Sequence, residues 1–484
     1  MTVAVGFGVL ALVLLLSALV AGLVERAPLS FPILFLVLGF ALGPLGAGII
    51  TADIHSPLLE LVGVLTLSLI LFLDGISLET AEKRHDLVVP LLTLGPGTLL
   101  VIAITAGAAY LIFQLPLPLA ILTGAILAST DPVVLRDVIR DTRIPAPVRQ
   151  ALSLESGAND VVVLPIVLVT LALVTHRAGS AQDWAVFLAK LLLVGPVLGF
   201  VIGGAGAWLM AEVDERFPIR REYQSLYGIG LVLGAYAAGV TFGVDGFLAA
   251  FAAGLAVTVL NQRLCDCFLE FGQAGGEMAM LFSFVLFGAL LSTLVTGPLL
   301  LPSLALAAVV IFVARPLSIG LVLVRSRVLS WPARGLIAWF GPRGLNSLLF
   351  TLLLVDAGAP RSVQLMAVVG TVVLVSVLLH GGSATPIARA YANVVTRRTL
   401  GEERESTVSA TLLASEPEVT RIEVEQLAQK LESAEPPLVV DVRTRNEFAR
   451  EQERIPGSLR VLPDQVGAWL RGVDRQRELV FYCS

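Results

Sequence analysis

Four acids stand in or beside apolar sequence between residues 124 and 160: Asp131 in GAILASTDPVV, Asp137 just after it, and Glu155 and Asp160 in LSLESGANDVVVLP. A carboxylate at the centre of a bilayer costs about 2.5–3.5 kcal/mol even on the lenient insertion scale, so such residues mark ion or proton pathways or are paired. On a helix, Ser156 and Asp160 share one face, and Glu155 and Asn159 share the next. A hydroxyl and a carboxylate on one face, with Thr130 and any carbonyls freed by Pro132, supply the oxygen ligands that a hard monovalent cation takes. The same oxygens hold a proton or a cation, not both. Competition at the Asp160 carboxylate is enough for exchange, provided the empty site crosses the membrane with difficulty.

The other charges have plainer readings. Glu155 points away from the Asp160 face, and Arg343, in an equivalent mid-depth position, is its expected partner. One of them buried without the other would be costly, which makes the pair structural rather than catalytic. Asp131 is expected to compensate a positive helix N-terminus, with a ligand role as the alternative. Asp137 reads as a solvated charge among arginines. Asp74, in LILFLDGISLE, is either a further site acid or an interfacial residue near Glu79. Lys190 lies near enough to a span end to snorkel, Arg315 awaits an acid that the sequence does not identify, and Asp245 caps the helix that follows it. Cys265 and Cys267 form a lone C-x-C with no further Cys or His nearby, which reads as two small residues rather than a metal site.

These residues are positioned by a chain of 484 residues that is 56% hydrophobic and only 15% charged, with a mean hydropathy of +0.86. An ordinary soluble chain is about 25% charged. This is a polytopic membrane protein, and a net charge of -5 gives no reason to expect nucleic acid. Apolar runs of about 20 residues, the length of a span, fall near 3–23, 31–45, 58–73, 88–113, 117–135, 148–174, 184–210, 223–241, 246–260, 278–295, 301–324, 333–355 and 363–390. That makes about 13 transmembrane helices, the short ones tilted or bent. With the N-terminus outside, the Lys and Arg of the loops collect on the inner side, including Lys83, Arg84, Arg136, Arg140, Arg220, Arg221 and Arg334. Only Arg177 and Arg361 fall outside, so the C-terminus is expected in the cytoplasm.

Two spans are interrupted, the fifth at Pro132 and the twelfth by Gly341, Pro342 and Gly344 around Arg343. The breaks are seven spans apart, so the two helices run in opposite directions. That pattern reads as an inverted repeat whose two crossed discontinuous helices meet at an ion site. The plainer alternative is that Pro and Gly are simply common in membrane helices. The domain reading is a membrane domain over 1–392, a polar cytoplasmic linker over 393–420, and a small α/β segment over 421–484. In that segment LVVDVRTRNEF is a strand followed by a turn, and ELVFYC is a second strand ending at Cys483.

STDP, ESGAND and GPRGLNS, in this order and on these spans, resemble the monovalent cation–proton antiporters of the sodium/proton exchanger, NhaP-like, type. The resemblance covers about the first 390 residues. It implies a homodimer in the cell membrane, with a core domain carrying crossed broken helices that moves against a dimerisation domain. It places the cation ligands on Thr130, Ser156 and Asp160, the helix-end acid on Asp131, and the stabilising ion pair on Glu155 and Arg343. Asn159 stands where electrogenic relatives have a second Asp, which implies one-for-one, electroneutral exchange. One departure is that Leu73 follows Phe72 where many relatives carry Glu, and the nearby acid is Asp74. The tail resembles a rhodanese domain, with DVRTRNEF and IPGS matching its N-terminal signature and Cys483 at the sulfur-accepting position. The chain stops one residue later, so the segment reads as truncated or vestigial.

The leading expectation is a secondary transporter exchanging a monovalent cation, Na+ first and K+ or Li+ as alternatives, for protons, without a cofactor. Its partners are the cation, protons, membrane lipid and a second copy of the chain. A membrane sensor reporting cations or pH through its tail is a second reading, predicting binding without turnover. A membrane-tethered sulfurtransferase is a third, and the buried acids argue against it, because an anchor has no need to bury charge.

Overall fold

Every apolar run expected to span the membrane is helical in the computed structural model. It describes residues 3–24, 30–51, 53–82, 88–141, 144–177, 179–295, 297–324, 329–398, 422, 424–431, 433, 436–443, 448, 454–473 and 478–482. Cys483, residues 399–420 of the expected linker and residue 421 lie outside these, as do the side chains of Glu79, Asp137, Cys265 and Cys267. Among the described residues, seven helices are long and apolar enough to cross a membrane. Shorter apolar helices accompany them, and two of these are short because they are interrupted.

In chain order the helices are α1 (Val3–Val24), α2 (Phe31–Leu42), α3 (Pro57–Glu82), α4 (Val88–Leu92), α5 (Thr98–Phe113) and α6 (Leu117–Ile126). Next come α7 (Pro132–Arg140), α8 (Ala146–Val174), α9 (Ala181–Ala189), α10 (Gly195–Arg216), α11 (Arg221–Thr241) and α12 (Gly246–Leu260). The series ends with α13 (Gln262–Leu294), α14 (Leu300–Val309), α15 (Arg315–Leu323), α16 (Trp331–Trp339), α17 (Leu345–Asp356) and α18 (Ser362–Arg398). Helix α18 continues past residue 392, into the expected linker. Single π-helical turns join α4 to α5 (Thr93–Gly97), α9 to α10 (Lys190–Val194) and α14 to α15 (Val310–Ala314). In each case a proline stands inside or just after the turn, at Pro96, Pro196 and Pro316. It withholds one N–H from the ladder there and favours the wider turn.

Two units divide the chain: Met1–Arg136, Ala151–Arg325 and Ile337–Ala384 form the larger, and Asp137–Gln150, Ser326–Leu336 and Thr385–Ser484 the smaller. Within the larger unit, α3, α10, α11, α12 and α13 pack on one another, and α2 packs on α13. Likewise α5 packs against α6, α14 and α15, while α17 touches both α3 and α13. Small residues permit the closest approach. A Cβ on Gly199 or Gly203 of α10 would overlap the backbone of Ala249 or Ala253 on α12, a small-xxx-small contact that lets two helices pack backbone to backbone in lipid. Phe35, Leu67, Leu71, Phe284, Phe287 and Phe350 lie in the buried core.

The smaller unit holds a parallel three-stranded sheet of order β2-β1-β3, made of β1 (Leu438–Asp441), β2 (Leu459–Arg460) and β3 (Leu479–Tyr482). Val440, Val442, Val461 and Val466 form its core, with Leu438 and Trp469 packed against them. The IPGS turn needs its glycine, since Gly457 has φ +77°.

Candidate functional site

Proline and glycine set the stage. Helix α6 stops at Ile126 and α7 starts at Pro132, a residue pre-organised for the first turn of a helix. Helix α16 stops at Trp339 and α17 starts at Leu345, with Gly341, Pro342 and Gly344 between. The two breaks meet, since the Asp131 N–H donates to Pro342 O at 2.9 Å. Asp131, fully buried, then caps two helices with one carboxylate. Its Oδ1 accepts from Val133 N at 2.9 Å, and its Oδ2 accepts from Leu345 N, the first residue of α17, at 3.1 Å. A negative side chain at two positive helix ends is the compensation expected for Asp131. A Cβ on Gly344 would overlap the Asp131 carboxylate, which is why glycine stands there.

The carbonyl ends are compensated by arginines. Arg343 Nη1 donates to Ala128 O at 2.5 Å and Ser129 O at 3.0 Å, at the end of α6. Its backbone N–H donates to Ser376 Oγ on α18 at 2.7 Å. That hydroxyl also contacts His380 Nδ1, and His380 Nε2 reaches Trp339 O at 3.1 Å. Arg315 Nη2 donates to Ile337 O at 3.1 Å and Phe340 O at 2.6 Å, at the end of α16.

This corrects the expected pairing of Glu155 with Arg343. Glu155 accepts from Arg315 instead, through Nη1 at 2.5 Å and Nη2 at 3.0 Å, and both side chains are buried. The two parallel bonds are the strong fork geometry of Arg with a carboxylate. The physical reason lies in the π-helical turn Val310–Ala314, which ends one residue before Arg315 and so sets the direction in which α15 begins. Arg343 instead turns Nη1 onto the carbonyls at the end of α6, and its Nη2 has no hydrogen-bond partner among the described residues. The same face of α8 carries Asn159, whose Nδ2 lies 3.4 Å from Thr98 Oγ1, and Thr98 follows the π-helical turn Thr93–Gly97. Lys190 is exposed, and Asp245 caps α12 by accepting from Leu248 N at 2.8 Å.

The other face of α8 carries Ser156 and Asp160, both buried. Asp160 Oδ1 accepts from Ser129 Oγ at 2.6 Å, and Oδ2 accepts from Asn346 Nδ2. The carboxylate is therefore held by one donor from each break. Sequence reasoning had not singled out Ser129 or Asn346, although both lie in the stretches STDP and GPRGLNS. Ser156 Oγ lies 3.3 Å from Ser153 O. The buried oxygens without a hydrogen-bond partner among the described residues include Thr130 Oγ1 and Asn159 Oδ1. Thr130 follows Ser129 in the chain and Asn159 precedes Asp160, and an unpartnered buried oxygen suits a hard cation, which takes oxygen ligands and would satisfy it. Asp74, half-buried on α3, has Oδ1 4.0 Å from where a Cβ on Gly157 would sit. Gly157 and Asp160 are three residues apart on one side of α8, so Asp74 looks towards the Asp160 face.

In the smaller unit, Asp441 at the end of β1 accepts from Arg443 Nη2 at 2.7 Å and from Tyr482 OH at 3.0 Å. Burial raises the Asp441 carboxyl, but the bonds from Arg443 and Tyr482 outweigh it and hold it below the usual carboxylate range.

Comparison with known proteins finds two family matches. Residues 12–390 match the family described as sodium/hydrogen exchanger, transmembrane, and residues 423–484 match the rhodanese-like domain. The K(+)/H(+) antiporter NhaP of Alkalimonas amylolytica is 32% identical over 389 residues, 78% of this chain and 65% of that protein. The K(+)/H(+) antiporter NhaP2 of Shewanella sp. (strain ANA-3) is 28% identical over 380 residues, 78% of this chain and 66% of its own length. The chain thus spans a little under two thirds of the curated relatives it matches. The solved structure of the sodium proton antiporter MjNhaP1 from Methanocaldococcus jannaschii superposes with a TM-score of 0.66 at 24% identity. That match covers 81% of this chain and all of the other, a likeness of fold.

Proposed function

We propose that this chain, which belongs to the sodium/hydrogen exchanger family, exchanges a monovalent cation for protons across the cell membrane, the two competing for Asp160. The observation that carries the reading is the setting of that carboxylate. It is buried and held by one hydrogen bond from each helix break, and Thr130, next in the chain to its donor Ser129, carries a buried oxygen without a partner among the described residues. The charges that shape the breaks have roles there: Asp131 caps two helix starts, Arg343 through Nη1 and Arg315 through Nη2 cap two helix ends, and Glu155 is paired with Arg315. Asp160 is left with its charge met only by neutral donors, and a proton or a cation is what completes it.

The mechanism follows from what each residue can do. The bare Asp160 carboxylate is costly to carry through the membrane interior, and the loaded form is neutral, so loaded forms move and the empty one does not. Thr130, Ser156 and Asp160 hold the cation, and Asp131 and Asn159 support the site. Glu155 with Arg315, and Arg343 on its own carbonyls, hold the scaffold. Asn159 has no proton to release, so one cation leaves for one proton and the exchange is electroneutral. Alternating access uses about 13 spans in an inverted repeat, with the two broken helices crossed. The N-terminus lies outside, the C-terminus in the cytoplasm, and two copies form a dimer. Sodium was the first expectation for the cation; the curated relatives named above are potassium/proton antiporters, so potassium stands beside it. The rhodanese-like segment is a regulatory appendage and not the source of the activity.

The test is dye-reported proton movement in proteoliposomes with acid interiors. Sodium, potassium or lithium is added outside, for the wild type and Asp160→Asn, with and without a valinomycin clamp. Cation-driven proton efflux that is lost in the mutant and indifferent to the clamp supports the reading. Wild-type protein that binds cation yet drives no efflux at any pH would move the assignment to a membrane sensor.

A further inference from the structure

The two hydrogen bonds on Asp160 are chemically unequal. Asn346 gives an amide nitrogen, which donates and cannot accept, so it can serve Asp160 Oδ2 only as a donor. Its place is fixed from both sides in the chain. Leu345 N is tied to Asp131, and Ser347 Oγ donates to Ile126 O at 2.9 Å. Both ties run from α17 to the first break, so Asn346 is clamped where it meets Asp160. Ser129 gives a hydroxyl, which carries one proton and two lone pairs and turns about a single bond. Its backbone is pinned, since Arg343 donates to both Ala128 O and Ser129 O, which leaves the hydroxyl as the movable part. The next residue, Thr130, carries a buried oxygen without a hydrogen-bond partner among the described residues.

We infer that Ser129 and Asn346 divide Asp160 into an anchored oxygen and an exchanging one. Asn346 holds Oδ2 throughout, and Ser129 gives up its bond to Oδ1 and turns a lone pair towards the arriving cation. This rests on the reading of Asp160 as the exchange site and adds two residues to it, one for positioning and one for cation selectivity. No covalent bond changes. The Ser129 hydroxyl proton stays on its oxygen and points away from Asp160 while the cation is bound. When a proton arrives at Oδ1, the new O–H donates to the same Ser129 oxygen. The hydroxyl therefore serves both cargoes, and an amide nitrogen could serve neither.

The experiment measures KM for potassium and sodium, and the maximal rate, in proteoliposomes holding the full chain. The variants are Ser129→Ala, Ser129→Thr, Ser129→Cys and Asn346→Leu, with choline as the inert cation. Losing one oxygen ligand should raise the cation KM about tenfold in Ser129→Ala, the scale of one good hydrogen bond to a charge. Ser129→Thr, which keeps the hydroxyl, should stay near the wild type. Ser129→Cys keeps the size but offers a soft atom to a hard cation, so its KM should rise as well. Because the Asn346 bond is present with and without the cation, its loss cancels from binding and Asn346→Leu should leave KM within about twofold, while the less firmly positioned Asp160 lowers the maximal rate. A Ser129→Ala or Ser129→Cys protein with wild-type KM overturns the inference, and so does an Asn346→Leu protein whose KM rises as steeply. Asp160→Asn serves as the control. Exchange persisting there removes the underlying assignment whatever Ser129 does, whereas its loss beside an unaffected Ser129→Ala removes the inference alone.

Discussion

Replacing Arg315 should be among the most damaging single changes in the membrane part, and the structure says by how much. Its guanidinium makes two charge-assisted bonds to Glu155 and two to the carbonyls of Ile337 and Phe340. Removing one member of a buried ion pair costs about 3–5 kcal/mol, because the other charge is left buried without compensation. The two carbonyls left unpaired would add about 1–3 kcal/mol each, so Arg315→Met should cost at least about 5 kcal/mol. Glu155→Gln keeps the shape and an acceptor oxygen, and should fall at the lower end. The pairing itself is tested by two double-mutant cycles on the apparent thermal midpoint of the detergent-purified protein. Glu155→Gln with Arg315→Met should show a coupling of about 2 kcal/mol or more, while Glu155→Gln with Arg343→Met should be close to additive. A larger coupling to Arg343 than to Arg315 would refute the assignment of partners.

Other outcomes follow from the same geometry. Gly344→Ala puts a methyl group into the Asp131 carboxylate and should abolish exchange, with low yield and a broadened size-exclusion profile. Gly199→Leu would force α10 away from α12 and lower the thermal midpoint; Gly234→Leu on α11, where a Cβ would meet nothing within 4 Å, should leave it unchanged. Asp441 has a depressed folded pKa, so its contribution to the sheet is fully present above the unfolded value near 3.9 and is lost as pH falls through the lower folded value. Trp469 emission, in a chain whose other tryptophans are replaced by Phe, should report an acid transition below about pH 4. That transition should be absent in Asp441→Asn.

Much of this was legible in the residues. Apolar runs, loop arginines and the prolines at 132 and 342 are local signals, and the acids stand out because charge is rare in such sequence. The two faces of α8 could be drawn from spacing alone, because a single regular helix preserves it. What could not be read was which arginine meets Glu155. Arg315 and Arg343 both lie in apolar sequence beside a proline, and the choice depends on a π-helical turn that regular periodicity conceals. Ser129 and Asn346 were hidden for another reason. Serine and asparagine are ordinary at helix breaks, and nothing in the intervals between residues 129, 160 and 346 shows that three separate segments converge on one carboxylate.

The claim on which the rest depends is that proton and cation compete for Asp160, and the direct measurement is the cation KM of the wild-type exchanger as a function of pH. Competition at one carboxylate predicts that, on the acid side, KM rises about tenfold for each unit fall in pH while the maximal rate at saturating cation stays constant. A KM that ignores pH, with a maximal rate that falls instead, would mean that the two ions occupy separate sites and would contradict the account.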